Sequence, residues 1–294
     1  MNFKTKINLF LVCLLLPLYL LASSNEAEVL KKQALLTREK SLNVSITYGN
    51  GFITISKLTT KNVYEGEFVY EKSRPDIRYD IVGDEGRLQV YFSGKVRKDS
   101  RDEDARNISS ITNLYDNELR LHLSPEIPIN LDLELGMIKG NLDLSGLKIQ
   151  SLNMEIGVSK GTIVFDEPNP IKMENCTIEG GVGKLNIERL GNARVKNFSF
   201  EGGVGSYVLD FSGEYKLNTN ANITIGMGKV TLYLPRYIGT RLKVDKSFLS
   251  SFSIDKIYKE GDYYYNDNWE KTRYNLDMKV EAGVGKVDVV WVDE

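Results

Sequence analysis

The chain has 294 residues, 41% of them apolar and 27% charged, with 25 glycines and 7 prolines. That is enough apolar material for a sizeable core in one long domain or two, and it argues against a disordered chain. A formal net charge of −2 leaves no basic excess of the kind that nucleic-acid binding needs.

Residues 1–24 are predicted to be a cleaved signal peptide. Lys4 and Lys6 precede an apolar run from Leu9 to Ala22, which is short and broken by Pro17 when set against a membrane span of roughly 20 residues. Ala22 and Ser24 supply the small residues of a cleavage site; an uncleaved membrane anchor is the competing reading. Cys13 follows Val12, not the small residue that a lipid-attachment site wants. Cleavage would leave Cys176 alone, so no internal disulfide is expected and Cys176 reads as a buried, inert thiol. The mature protein is therefore expected outside the cytoplasm, in the periplasm, at the cell surface or secreted, with no membrane span. Residues 25–41 read as a charged linker or a short helix.

Residues 42–128 form an N-terminal β region. Strand-like runs occur at Leu42–Ile55, Val63–Glu71, Ile77–Val82, Arg87–Phe92 and Glu118–Leu123, with a turn signal at Gly83. The polar stretch 94–116 reads as a loop. His122, the only histidine, lies between Leu121 and Leu123 in an alternating strand and should face outward.

Residues 129–294 repeat one motif: glycine, an apolar residue, glycine, then apolar residues on alternate positions. It is complete at Gly181 and Gly183, Gly203 and Gly205, Gly226 and Gly228, and Gly283 and Gly285. An outlying copy at Gly49 and Gly51 makes 42–128 read as an elaborated first coil. Turns at Gly136 and Gly157 depart from the pattern and read as carrying two extra residues. From Gly136 the first glycines lie 21, 24, 22, 23 and 57 residues apart, a repeat with one large insertion at 236–275. Apolar residues recur three and five positions before each first glycine and resume after the turn, as at Leu185 and Ile187. Period two on both sides means strands with one buried face. The glycines are expected to let the chain reverse while Val182, Val204, Met227 and Val284 point inward, and to relieve crowding where turns stack. "DLSGL", "ERLGN" and "DFSGEY" mark second punctuations between the turns. The fold is read as all-β, a parallel β-solenoid of ~22-residue coils with two or three short strands each; an antiparallel β-sandwich is the alternative.

"YEGEF" (Tyr64–Phe68), "RPDIRYDI" (Arg74–Ile81) and "LDLELGMIKGNLDLSGLKIQSLNMEIGVSKGTIVF" (Leu131–Phe165), with the repeated Gly-Val-Gly, resemble the toast-rack family of exported bacterial β-repeat proteins. The wider group is similar to adhesin domains and to the C-terminal domain of cell-wall-active antibiotic response proteins. The resemblance covers about 42–294 and implies a β-solenoid-like fold outside the cytoplasm. It supplies no catalytic residues.

A single histidine leaves no material for hydrolytic triads or the usual zinc sets. Gly-Val-Gly-Lys is no phosphate loop, because no helix follows it. What repeats instead is charge. Glu134, Glu155, Glu179, Glu201 and Glu281 stand two positions before the first glycine; Lys139, Lys160, Lys184, Lys229 and Lys286 stand three after it. Stacked coils would turn these into outward columns about 4.8 Å per step. They read as solubility and edge charge, or as a surface for a cation such as Ca²⁺ or for a charged polymer. No other cofactor is expected. Tyr263, Tyr264, Tyr265 and Trp269 in the insertion read as a cap on the last coil or an aromatic platform for sugar or peptide. The expected role is non-catalytic: scaffold, adhesion or envelope sensing, with a cell-wall or surface polymer or an envelope protein as partner. The alternative is a carboxylate enzyme, a lyase or glycosidase, acting on polysaccharide.

Overall fold

The alternation of apolar residues is realised in full-length strands. The structure, a computed structural model, describes residues 27–71, 73–93, 117–246, 250–254 and 258–293. Sixteen strands follow in chain order: β1 (Glu28–Leu35), β2 (Ser41–Lys57), β3 (Asn62–Tyr70), β4 (Asp76–Val82), β5 (Glu85–Phe92), β6 (Glu118–Leu123), β7 (Ile129–Asp143) and β8 (Ile149–Val164). Then come β9 (Met173–Glu188), β10 (Val195–Asp210), β11 (Thr219–Pro235), β12 (Gly239–Lys246), β13 (Ser250–Ser253), β14 (Tyr258–Glu260), β15 (Tyr263–Tyr265) and β16 (Asn275–Val292). The signal segment 1–24 with Cys13, and the loop 94–116, lie outside the described residues.

The strands join one mostly parallel, unclosed sheet whose spine is β2-β7-β8-β9-β10-β11-β16. Every neighbouring pair along the spine is parallel and in register, which sets the antiparallel sandwich aside: Leu133 pairs with Met154, Met154 with Ile178, Ile178 with Phe200, Phe200 with Ile223, and Ile223 with Val280. A parallel ladder of this length, with one coil resting on the next, is a β-solenoid.

Each coil is one long strand bent in the middle, not two strands joined by a reversal. Before the bend, residues one, three and five positions ahead of the first glycine face the core; in β8 these are Ile156, Met154 and Leu152. After it, the fourth and sixth positions do so, Leu185 and Ile187 in β9. Alternation therefore slips by one at the bend, because the intervening residues pass around the convex outside of a corner. The expectation for Val182, Val204, Met227 and Val284 is overturned: they are 50%, 47%, 50% and 38% exposed.

Glycine is required here by close approach. A Cβ on Gly181 would lie 2.4 Å from the carbonyl oxygen of Gly157, and one on Gly183 2.0 Å from that of Ser159. Gly183 also has φ of 146°, where side chains are strained. The Gly136 and Gly157 bends carry no extra residues, because Lys160 pairs with Lys184 and Gly161 with Leu185. There Ile138 and Ser159 occupy the second-glycine position and are buried, while Gly140 and Gly161 stand two places later.

Of two further glycines before the bend, Gly202 answers a packing demand. Gly180 and Gly202 take the inward place that Leu135 and Ile156 hold in earlier coils. Tyr207, 1% exposed, fills the space: a Cβ on Gly202 would lie 2.6 Å from its ring. Its hydroxyl is buried with no partner among the described residues.

The third side of the stack is irregular but still bonded coil to coil. Backbone bonds link Leu144 to Val164 (2.9 Å), Leu190 to Asp210 (2.8 Å) and Phe211 to Tyr233 (2.9 Å). The buried amide of Asn192 donates to the Phe165 carbonyl at 2.7 Å, and that of Asn169 to Ile149 at 2.7 Å. These turns are the "DLSGL", "ERLGN" and "DFSGEY" punctuations. Two limbs and a turn thus replace the expected two or three short strands per coil.

Both ends are covered. At β2 the sheet forks, with β5 and then β4 continuing the first limb, and β6, β3 and β1 the second. Residues 28–35 are a strand, not a helix, because they complete this cover by pairing antiparallel with β3. At the other end β12 and β13 lie on β16, with β15 and β14 beyond.

Candidate functional site

Stacking places the bends above one another, so each position of the motif becomes a row. Met137, Val158, Val182, Val204, Met227 and Val284 are successive partners in the ladder. They form an apolar crest about 24 Å long, at the usual strand spacing. Isolated exposed valines are ordinary, but a contiguous line of them is not.

On one side of the crest runs the row Glu134, Glu155, Glu179, Glu201, Thr224 and Glu281. Thr47 continues it and donates to Glu134 Oε2 at 3.2 Å. Glu281 is paired with Lys279 at 2.6 Å. Glu155, Glu179 and Glu201 make no ion pair among the described residues. On the other side stand Lys139, Lys160, Lys184, Ser206, Lys229 and Lys286. Lys229 and Lys286 converge on Asp288 at 3.1 and 2.9 Å. Burial opposes ionisation of that carboxyl, but the two ammonium groups outweigh it and hold it below the usual range. Lys139, Lys160 and Lys184 make no ion pair among the described residues. The crest keeps acid and base rows apart, so the lysines do not lean across to the glutamates.

Three successive coils, β7 to β9, thus present the same triad of carboxylate, apolar side chain and ammonium, with no ion pair among the described residues. A groove of about 860 Å³ follows the acid row, lined by Glu134, Glu155, Glu179, Glu201 and, at its N-terminal end, Tyr91. A smaller groove of about 420 Å³ follows the base row and is lined by Phe52, Lys139, Lys160 and Lys184. Sequence reasoning missed Tyr91 and Phe52. Tyr91 is 57% exposed between the buried Val90 and Phe92, and that outward place in β5 was the available signal.

The aromatic insertion is a separate feature that lies against β16 at the C-terminal end of both charge rows, where Asp245 pairs with Glu281 and Ser251 with Lys286. Tyr263, Tyr265 and Trp269 share one face of it, with ring centroids 6.2 and 6.1 Å apart along that series. Tyr264 turns the other way, 5.2 Å from Phe252. Arg241 lies 4.9 Å from the Tyr263 ring and 4.7 Å from the Trp269 ring, and its Nε donates to Asp277 at 3.0 Å. A guanidinium anchored to β16 therefore covers the rings, which suits a cap better than an open platform.

His122 is exposed, with Nδ1 2.7 Å from the Ser56 hydroxyl. Cys176 is buried, and burial pushes its thiol up to about 12. Among the described residues, no group of three or more His, Cys, Asp or Glu side chains is placed to hold a metal ion. The acid row offers at most one carboxylate per coil. No helix among the described residues is long and apolar enough to cross a membrane.

No curated protein matches the sequence. Solved structures with some similarity to the chain are found. A putative cell adhesion protein from Clostridium sporogenes aligns over 91% of this chain and 100% of its own, at 22% identity and a TM-score of 0.48. A putative adhesin from Bacteroides fragilis aligns over 90% and 97%, at 11% identity and a TM-score of 0.37. The family described as the N-terminal domain of toast_rack, DUF2154, matches residues 22–188, more than half of the chain, and the chain belongs to that family.

Proposed function

We propose that this is a non-catalytic, exported envelope protein that acts as a scaffold or adhesin through the bend crest. The observation that carries the reading is the unbroken apolar row between two charged rows that make no ion pairs from β7 to β9 among the described residues. A partner covering the row would gain roughly 25 cal/mol for each Å² of apolar surface removed from water. The charge rows on either side would fix its register more than its affinity. A cell-wall polymer or an extended segment of an envelope protein fits a strip of this shape.

The polysaccharide enzyme fits less well. Catalytic carboxylates work as a pair whose surroundings differ, one holding its proton and the other not. Here the carboxylates recur at most once per coil, with Thr224 in their place on β11, and no two are set apart as a pair.

The test is co-sedimentation of the full chain with purified cell-wall sacculi, beside the variant Val158→Lys/Val182→Lys/Val204→Lys. These side chains are exposed, so the variant should fold with an unchanged melting temperature. Binding by the wild type and at least about tenfold weaker binding by the variant is expected. Equal binding by both would remove the crest from the function, and release of soluble sugar from the sacculi would restore the enzyme reading.

A further inference from the structure

A third cavity lies away from the crest, on the irregular third side where the stack meets the returning insertion. Its volume is about 560 Å³, within the usual range for small-ligand sites. Consecutive turns build it: Arg189 follows β9, residues 213–215 follow β10, Tyr237 and Ile238 follow β11, and residues 272–274 precede β16.

Its charges are unevenly settled. The two lining carboxylates are already engaged: Glu214 pairs with Arg194 at 3.1 Å and also with Lys216, and Asp293 pairs with Arg236 at 3.4 Å. The two lining guanidinium groups, Arg189 and Arg273, have no acidic partner among the described residues. Arg189 also has φ of 59°, in the left-handed region where a glycine or asparagine would sit more easily. Arg273 lies 5.2 Å from the ring of Tyr274. The second ring is fixed at its far end, because the Tyr237 hydroxyl accepts from the Gly213 N–H at 2.7 Å and donates to the Gly213 carbonyl at 2.8 Å.

We propose that this cavity binds an anionic saccharide of one or two rings. The Tyr237 ring can take the apolar face of a sugar, the Tyr274 ring being partly covered by Arg273, and guanidinium groups take an oxyanion through paired N–H donors. The oxyanion can be a uronate carboxylate or a sugar phosphate; both present the oxygen pair that a guanidinium fork matches. The site shares no residue with the crest, so either proposal can fail without the other.

Calorimetric titration of the full chain tests it, with digalacturonate, glucose 6-phosphate, inorganic phosphate and neutral maltose as probes. Binding of digalacturonate or glucose 6-phosphate, with none of maltose, is expected. Which anionic probe binds identifies the source of the oxyanion. Arg189→Gln and Arg273→Gln should each weaken that binding about tenfold, with melting temperatures unchanged because both side chains are exposed. The proposal is overturned by any of three results: no binding of either anionic sugar at millimolar concentration, inorganic phosphate binding as tightly as the sugar phosphate, or undiminished binding by the double variant.

Discussion

At the scale of single residues, neighbouring glycines in the same bend do unlike work. Gly181 lets the Gly157 carbonyl approach, whereas Gly180 meets no such demand. A Cβ on Gly180 would meet nothing nearer than 3.9 Å, which is ordinary contact, while on Gly181 it would sit at 2.4 Å. Gly180→Ala should therefore change stability by less than about 1 kcal/mol, and Gly181→Ala should cost about 3 kcal/mol or more. Denaturant melts of the two variants check this, and equal losses would mean that the bends do not stack as described. In the sequence both positions read only as glycine; the distinction depends on which neighbour each one faces.

At the scale of elements, the strands were legible and their course was not. Positions such as Leu152, Met154, Leu185 and Ile187 announced the buried face, because period two survives on either side of each bend. The direction of Val182 was lost, since alternation cannot be extrapolated through a corner that shifts it by one. The charged segment around Lys31 and Lys32 gave no strand signal; pairing with β3 makes β1 a strand. Beside it, Glu39 ties the β1–β2 connection to β4. It accepts bonds from the Thr37 and Arg38 N–H groups, each at 2.8 Å, and from the Tyr79 hydroxyl. Burial opposes its ionisation, but these bonds prevail and lower its pKa from 4.5 to about 2. A carboxyl depressed on folding contributes stability above its unfolded value and loses it as pH falls through the folded one. Glu39→Gln should thus lower the melting temperature at neutral pH, with the gap to wild type closing between about pH 4.5 and 2. A gap independent of pH would show that the ionised form contributes nothing.

At the scale of the whole molecule, repetition turns a local motif into a surface. No coil can bury its apolar face alone, so in-register stacking is the condition of stability. The same stacking aligns the bends and exposes the crest. The acid and base rows could be read from the spacing of glutamates and lysines around each glycine. The apolar row between them could not, because alternation taken alone points its residues toward the core.

Thiol reactivity in the folded protein tests that exposure most directly. In a Cys13→Ser background, Cys176 should stay silent until the chain unfolds, being buried with its thiol pushed up to about 12. Val158→Cys, Val182→Cys and Val204→Cys should each add one thiol that a water-soluble disulfide reagent titrates in the native state. If those cysteines react only on unfolding, the bend residues face inward and there is no crest.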